Sequence, residues 1–154
     1  MPGYGTLPAD EGTGLLPWSW AEERLTASHD YWVATIWPDG RPHVTPVWGV
    51  WADGAVWFSC APRSRKARNL RADPRCSVTT DNALEPVVVE GVAELVAGVE
   101  AIRPFADASI AKYGGDVSLE FYAENATFRV SPSVVFALTE DDFAGSPTRW
   151  RIKS

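Results

Sequence analysis

The stretch SRKARNLRADPR, which begins at Ser64, contains the side chains best suited to binding a charged ligand. Together with Arg63 it holds six of the 14 basic residues of a chain whose net charge is −6. Ser64 is of the type that caps a helix N-terminus, so Arg65 and Lys66 fall in the first helical turn. Free N–H groups, a hydroxyl and cations at one helix start can bind phosphate. The stretch therefore predicts either an anion site or a solvated helix whose cations pair with surface acids.

A proline lies inside the apparent strand HVTPVWGVW, at position 46. Proline cannot donate a hydrogen bond to a neighbouring strand, so Pro46 fits only at a sheet edge or a bulge. Two interpretations stay open. The segment is a plain edge strand, or the backbone groups of Val47 and Trp48 are released from pairing and address the polar edge of a flat heterocycle.

The rest of the chain alternates short strands with few helices. A helix is predicted over residues 18–30, followed by an antiparallel meander over residues 31–37, 42–51 and 55–60. After the basic helix come strands at 75–81 and 86–96, with a bulge or bend at Gly91, and helices at 99–115 and 118–125. Strands at 127–132, 133–140 and 148–153 complete the chain. This pattern predicts a mainly β fold, a small closed barrel with peripheral helices. We divide the chain into a flexible arm, residues 1–17, and one domain, residues 18–154.

Composition limits the classes of function. The negative net charge argues against nucleic-acid binding, and no apolar run is long enough to cross a membrane. The N-terminus has no signal-peptide pattern, so we expect a cytoplasmic protein. Cys60 and Cys76 have no metal-ligand spacing and are predicted to be free thiols; we expect no metal site. Eight Trp residues suit a pocket for a planar ligand.

Three segments, GRPHVTPVWGVW, VWFSCAPRSRKARNLRADPRCSV and VVVEGVAEL, resemble the flavin-binding split barrels of the pyridoxamine 5'-phosphate oxidase-like superfamily. Within it they are most similar to the actinobacterial branch that binds the deazaflavin coenzyme F420. The resemblance implies a six-stranded antiparallel split β-barrel that forms a homodimer, with two cofactor sites at the interface. The arginines that bind the substrate phosphate of true pyridoxamine-phosphate oxidases are not recognisable here, so vitamin B6 oxidation is not expected.

The resemblance also implies a set of cofactor-binding residues. The positions that match those holding the cofactor phosphate and nearby acidic groups are Ser59, Ser64, Arg65 and Lys66, with Asn69 supporting the loop. The strand along the ring corresponds to Thr45, Pro46, Val47 and Trp48. The partner strand corresponds to Val87 and Val88, and the residues that reach the other subunit's site to Arg149 and Trp150.

A deazaflavin explains the basic stretch better than FMN does, because its lactyl-polyglutamate tail adds negative charge to the single phosphate. We therefore predict a reductase that transfers hydride from reduced coenzyme F420 to an electron-poor small molecule such as an enone, quinone or tetrapyrrole. The alternatives are an FMN-binding oxidoreductase of the same fold and a non-catalytic flavin- or haem-binding module. Further aromatic walls of the pocket are predicted to come from Trp32, Trp57, Phe121 and Tyr122. No catalytic residue is identified, although Tyr113 or Tyr122 could donate a proton.

Overall fold

The structure, a computed structural model, describes residues 5–115 and 117–153. Its α-helices are α1 Trp18–Ala27, α2 Arg65–Ala72, α3 Val99–Tyr113 and α4 Leu119–Glu124. Its strands are β1 Asp30–Ile36, β2 Pro42–Ala52, β3 Ala55–Cys60, β4 Arg75–Thr80, β5 Val87–Val96, β6 Ala126–Ala137 and β7 Thr148–Arg151. A single 3-10 turn, Glu140–Asp142, precedes β7.

The strands form one antiparallel sheet in the order β3-β2-β1-β4-β5-β6-β7. Strand β3 also pairs with β6, from Val56 opposite Val130 to Cys60 opposite Ala126. This pairing closes six strands into a barrel, and β7 extends the sheet beyond β6. The predicted six-stranded antiparallel barrel is therefore confirmed, whereas the dimer stays a prediction.

The long strand β6 corrects one prediction, because the sequence indicated two strands where the structure has one. The pairing of β5 with β6 shifts register between Glu90 and Gly91, opposite Pro132 and Val134. A bulge of this kind accommodates a proline without ending the strand. It also confirms the predicted irregularity at Gly91, where a Cβ atom would lie 2.2 Å from the carbonyl oxygen of Ser131.

The barrel interior is filled by the side chains that alternate inward along the strands, as a period of two residues requires. The largest fully buried ones are Tyr31, Phe58 and Phe128. Helix α1 packs against this core through Ala21 and Leu25, which lie on the face that the sequence predicted. The helix ends at Ala27, earlier than predicted, and Ser28 follows it with its hydroxyl bonded to the carbonyl of Asp30.

The N-terminal segment lies along the chain that leads into β7. The backbone N–H of Leu7 donates to Ala144, that of Gly14 to Gly145, and that of Arg149 to Ala9. Residues 1–4 of the predicted arm lie outside the described residues, and the proposed division at residue 17 stays a prediction. Within the described part of the chain, no helix is both long and apolar enough to cross a membrane.

Candidate functional site

Helix α2 begins as its sequence predicts. The Ser64 hydroxyl accepts a hydrogen bond from the backbone N–H of Ala67 at 3.3 Å, which is the geometry of an N-cap. Ala67 and Leu70 are buried against the barrel. The helix is therefore anchored by its apolar face, and its first turn lies at the rim of a cavity.

This cavity, called the pocket below, has a volume of about 510 Å³ and three walls. Strand β2 provides Pro46, Val47 and Trp48. The end of β3 and the start of α2 provide Ser59, Cys60, Ala61, Ser64 and Lys66. The third wall comes from α3, α4 and the residues next to them: Phe105, Ser109, Val117, Phe121, Tyr122 and Asn125. Six of the predicted cofactor-binding residues thus line one cavity: Pro46, Val47, Trp48, Ser59, Ser64 and Lys66.

The β2 wall is a sheet edge. Residues 42–48 of β2 pair with β1, with Pro46 opposite Trp32, but pairing with β3 begins only at Gly49. The predicted edge position of Pro46 is therefore confirmed, whereas the contact of the Val47 and Trp48 backbone with a heterocycle stays a prediction. Because β2 has no strand partner on its other side over this stretch of the described chain, its backbone borders the pocket directly.

The cations of the basic stretch have separate environments. Lys66 is the one charged side chain among the described residues that line the pocket. The guanidinium of Arg65 instead lies 3.8 Å from the ring centroid of Trp37, a cation–π contact outside the pocket lining. Arg75 pairs with Asp73 at 2.6 Å, and Arg71 donates to the carbonyl of Pro62. An ion pair with a neighbouring acid therefore explains the presence of Arg75 in this stretch, but it does not explain that of Lys66.

Thr45 and Asn69 are not among the residues that line the pocket. Asn69 is fully buried, and its Nδ2 donates to the hydroxyl of Thr35 at 3.1 Å. The Asn69 Oδ1 and Thr45 Oγ1 atoms are both buried and have no hydrogen-bond partner among the described residues. Asn69 joins α2 to β1, which fits the supporting role that the resemblance implied, and its part in cofactor binding stays a prediction.

The predicted residues near the C-terminus do not reach the pocket. Val88 and Arg149 line a second cleft of about 610 Å³, next to residues 6–10. Val87 is fully buried, and the ring of Trp150 packs on that of Trp18 at 5.5 Å. Within one chain, the predicted site residues that line a cavity therefore divide between two separate ones, six in the pocket and two in the second cleft.

The sequence-family comparison identifies the fold family. The family model described as pyridoxamine 5'-phosphate oxidase matches residues 21–141, most of the chain. The chain belongs to this family. No curated protein matches its sequence.

Solved structures share the fold of this chain. A conserved hypothetical protein from Mycobacterium tuberculosis is 26% identical, with a TM-score of 0.73 over 81% of this chain and 86% of that one. An F420 reductase is 23% identical, with a TM-score of 0.61 over 74% and 94%. An FAD-binding protein from Mesorhizobium loti is 24% identical, with a TM-score of 0.63 over 78% and 92%. The resemblance to this split-barrel superfamily is confirmed.

Four described residues of the third wall were not predicted from the sequence: Phe105, Ser109, Val117 and Asn125. Helical periodicity predicted α3 but carried no signal that it packs on β2 and α4 and lines the pocket. Phe121 and Tyr122 do line the pocket, as expected. Trp57 instead packs behind it on Phe105, with ring centroids 6.2 Å apart, and Trp32 is not among the lining residues.

Both cysteines are free, and their environments disfavour the thiolate. Burial raises the pKa of Cys76 to about 12. Burial also raises the pKa of Cys60, although the Ser64 hydroxyl and the charges of Lys66 and Arg71 act in the opposite direction. Cys60 lines the pocket as a neutral thiol at neutral pH, so it adds apolar surface rather than a nucleophile.

Proposed function

We propose that the chain is a reductase that binds the deazaflavin coenzyme F420 in the pocket and reduces an electron-poor small molecule. The observation that carries the proposal is the composition of the pocket. Flat apolar and aromatic walls meet one cation, Lys66, at a helix start. When bound there, the reduced coenzyme would supply a hydride, and the chain's own residues would orient the reactants and exclude water.

The residues present fit such a group. Pro46 and Val47 offer an apolar strand edge, and the indole of Trp48 offers a flat surface, which together suit a heteroaromatic ring. Lys66 has no ion-pair partner among the described residues, so its ammonium is free to bind a phosphate. Ser64 caps α2, so the N-terminus of this helix faces the pocket and can also bind the phosphate.

The charge of the basic stretch next to the pocket, residues 63–75, favours the deazaflavin over FMN. Arg63, Arg65, Arg68 and Arg71 form no ion pair with the described acidic residues, although 20 acids are present in the chain. One phosphate needs fewer cations than this, whereas a polyglutamate tail would pair with several. The fold is shared with an F420 reductase and equally with an FAD-binding protein, so the preference for the deazaflavin rests on these cations.

We further propose that two copies of the chain form the complete site. Trp32, Val44 and Trp48 are about half exposed, and their register places them on one outer face of β1 and β2. An exposed apolar patch of this kind is typical of an interface. A second copy packed there would cover it and would bring its own Val88 and Arg149 toward the pocket, as the resemblance implies.

Calorimetric titration of the purified chain with coenzyme F420 and with FMN tests the proposal. We expect the deazaflavin to bind at least about tenfold more tightly, which is about 1.4 kcal/mol. An Arg63→Ala/Arg68→Ala variant should lower the affinity for the deazaflavin and leave that for FMN nearly unchanged. Arg75→Ala is the matched control, because Arg75 already pairs with Asp73. Tighter binding of FMN would favour the FMN-dependent alternative and refute the proposal.

A further inference from the structure

A pair of hydroxyl groups lies on the otherwise apolar third wall of the pocket. Tyr122 of α4 and Ser109 of α3 both line the cavity, and they are only 5% and 1% exposed. Their oxygen atoms are 2.7 Å apart, the distance of a good hydrogen bond. Helices α3 and α4 of the wall are thus joined by polar groups at the surface where a ligand would lie.

The pair has one more hydrogen than it uses. Each hydroxyl carries one hydrogen, and the bond between them uses one of the two. No other acceptor among the described residues takes the second. A buried O–H without an acceptor is unfavourable, so the pair is better satisfied when an acceptor enters the pocket.

The other polar groups around the pocket already form hydrogen bonds within the protein or lie on the side of the pocket next to Lys66. The Asn125 amide donates to the carbonyl of Phe121 at 2.7 Å, and Ser64 caps α2. The Tyr113 hydroxyl binds backbone groups of His29 and Gly49 and is not part of the lining. The hydroxyl pair is therefore the donor best placed among the aromatic side chains.

We infer that Tyr122 donates its hydrogen to a carbonyl oxygen of the acceptor, with Ser109 holding the phenol in place. The inference rests on the proposed function and narrows its substrate class to conjugated ketones and quinones. Tyr122 takes the donor role because a phenol gives up its proton more readily than an aliphatic alcohol does.

The step balances as a two-electron reduction. In a conjugated ketone, a hydride supplied by the bound coenzyme would bond to the β-carbon, the C=C pair would become the double bond of the enol, and the C=O π pair would move to the oxygen. That oxygen takes the proton from Tyr122, and the resulting enol converts to the saturated ketone. Tyr122 regains a proton from solvent. A donor aimed at the developing negative charge lowers the barrier of this step.

Infrared spectroscopy of a bound ketone tests the hydrogen bond without requiring turnover. The probe is 2-cyclohexen-1-one labelled with ¹³C at the carbonyl, added to the full chain with and without oxidised coenzyme F420. We expect the C=O stretch to shift to lower frequency in the wild type and, by a smaller amount, in Ser109→Ala, which loses the hydroxyl that holds the phenol in place. In Tyr122→Phe it should return to the value found in an aprotic solvent.

Kinetics give a second measurement. Tyr122→Phe should lower kcat for the ketone by about 100-fold and change the dissociation constant of the coenzyme far less, because phenylalanine keeps the ring that lines the pocket. The inference is overturned if the ketone does not bind the wild type, if wild type and Tyr122→Phe give the same stretch, or if Ser109→Ala alone abolishes the shift. Absence of turnover in the wild type would contradict the proposed function instead, because the coenzyme-free infrared measurement needs neither coenzyme nor turnover.

Discussion

The rings of Trp48 and Tyr113 stack with their centroids 4.5 Å apart and their planes 5° from parallel. Trp48 lines the pocket from β2, whereas Tyr113 is the last residue of α3. The Tyr113 hydroxyl accepts from the N–H of Gly49 at 2.9 Å and donates to the carbonyl of His29. Burial raises the pKa of Tyr113 to about 12, so the phenol stays protonated at neutral pH and keeps this donor bond. Tyr113 therefore positions both Trp48 in the β2 wall and the C-terminal end of α3.

Replacing Tyr113 should separate the stacking contact from the hydrogen bonds. Tyr113→Leu removes the ring that supports Trp48 and should weaken binding of the coenzyme by about 3- to 10-fold, since such a stack contributes about 0.5–1.5 kcal/mol. Tyr113→Phe keeps the ring and should bind the coenzyme nearly as the wild type does. Calorimetric dissociation constants provide the measurement. Equal affinity for both variants would show that the stack does not position Trp48.

Lys66→Ala should weaken coenzyme binding by about 10- to 100-fold, because a hydrogen bond to a charged group contributes about 1.5–3 kcal/mol. Arg75→Ala changes the same basic stretch by one charge but removes a cation that Asp73 already neutralises. It should change the affinity by less than about twofold. Titration of both variants against wild type checks the difference. If Lys66→Ala leaves the affinity unchanged, Lys66 does not bind the coenzyme and is an ordinary solvated cation.

Gly91→Ala should destabilise the barrel. A Cβ atom at this position would lie 2.2 Å from the carbonyl oxygen of Ser131 and 3.2 Å from the Cα of Pro132, so the β5–β6 bulge must open. Overpacking of this kind costs about 1–3 kcal/mol. Val92→Ala, on the exposed neighbouring residue, should cost about 0.5 kcal/mol or less. Urea denaturation compares the two free energies of unfolding, and equal values would contradict the tight packing at the bulge.

Cys76 should make the protein less stable at alkaline pH. Its pKa is raised from 9.0 to about 12 by burial, so between these values the unfolded chain binds fewer protons than the folded one. The free energy of unfolding then falls as pH rises through that interval, by about 1.4 kcal/mol for this thiol at pH 10. Cys76→Ala should lose less stability between pH 8 and pH 10 than wild type. Urea denaturation at both pH values measures the loss. If the free energy of unfolding falls equally in both proteins, Cys76 does not cause it.

Local sequence signals predicted the parts of the site that depend on neighbouring residues. Ser64 caps α2 because its type and the residues after it specify a helix start, and β3 occupies the predicted residues 55–60. The edge position of Pro46 follows from its missing N–H group, which no tertiary contact can restore. These features needed no knowledge of distant segments.

Features that depend on distant contacts were missed. The continuity of β6 through Pro132 relies on the bulge that Gly91 permits on a different strand. Arg65 turns to Trp37, an aromatic partner far from it in the sequence, instead of joining Lys66 in the pocket. Periodicity placed Ser109 in α3, but only the packing of α3 on α4 brings its hydroxyl to Tyr122.

The most direct test of the proposed function follows a deuterium atom. The purified chain is loaded with reduced coenzyme F420 that carries deuterium at its transferable position, and a panel of enones and quinones is added. The account predicts that at least one acceptor oxidises the coenzyme faster with the protein than without it, and that enone products carry deuterium at the β-carbon. If the coenzyme binds but no acceptor in the panel reacts faster than in its absence, the chain is a binding module and the proposed reductase activity is wrong.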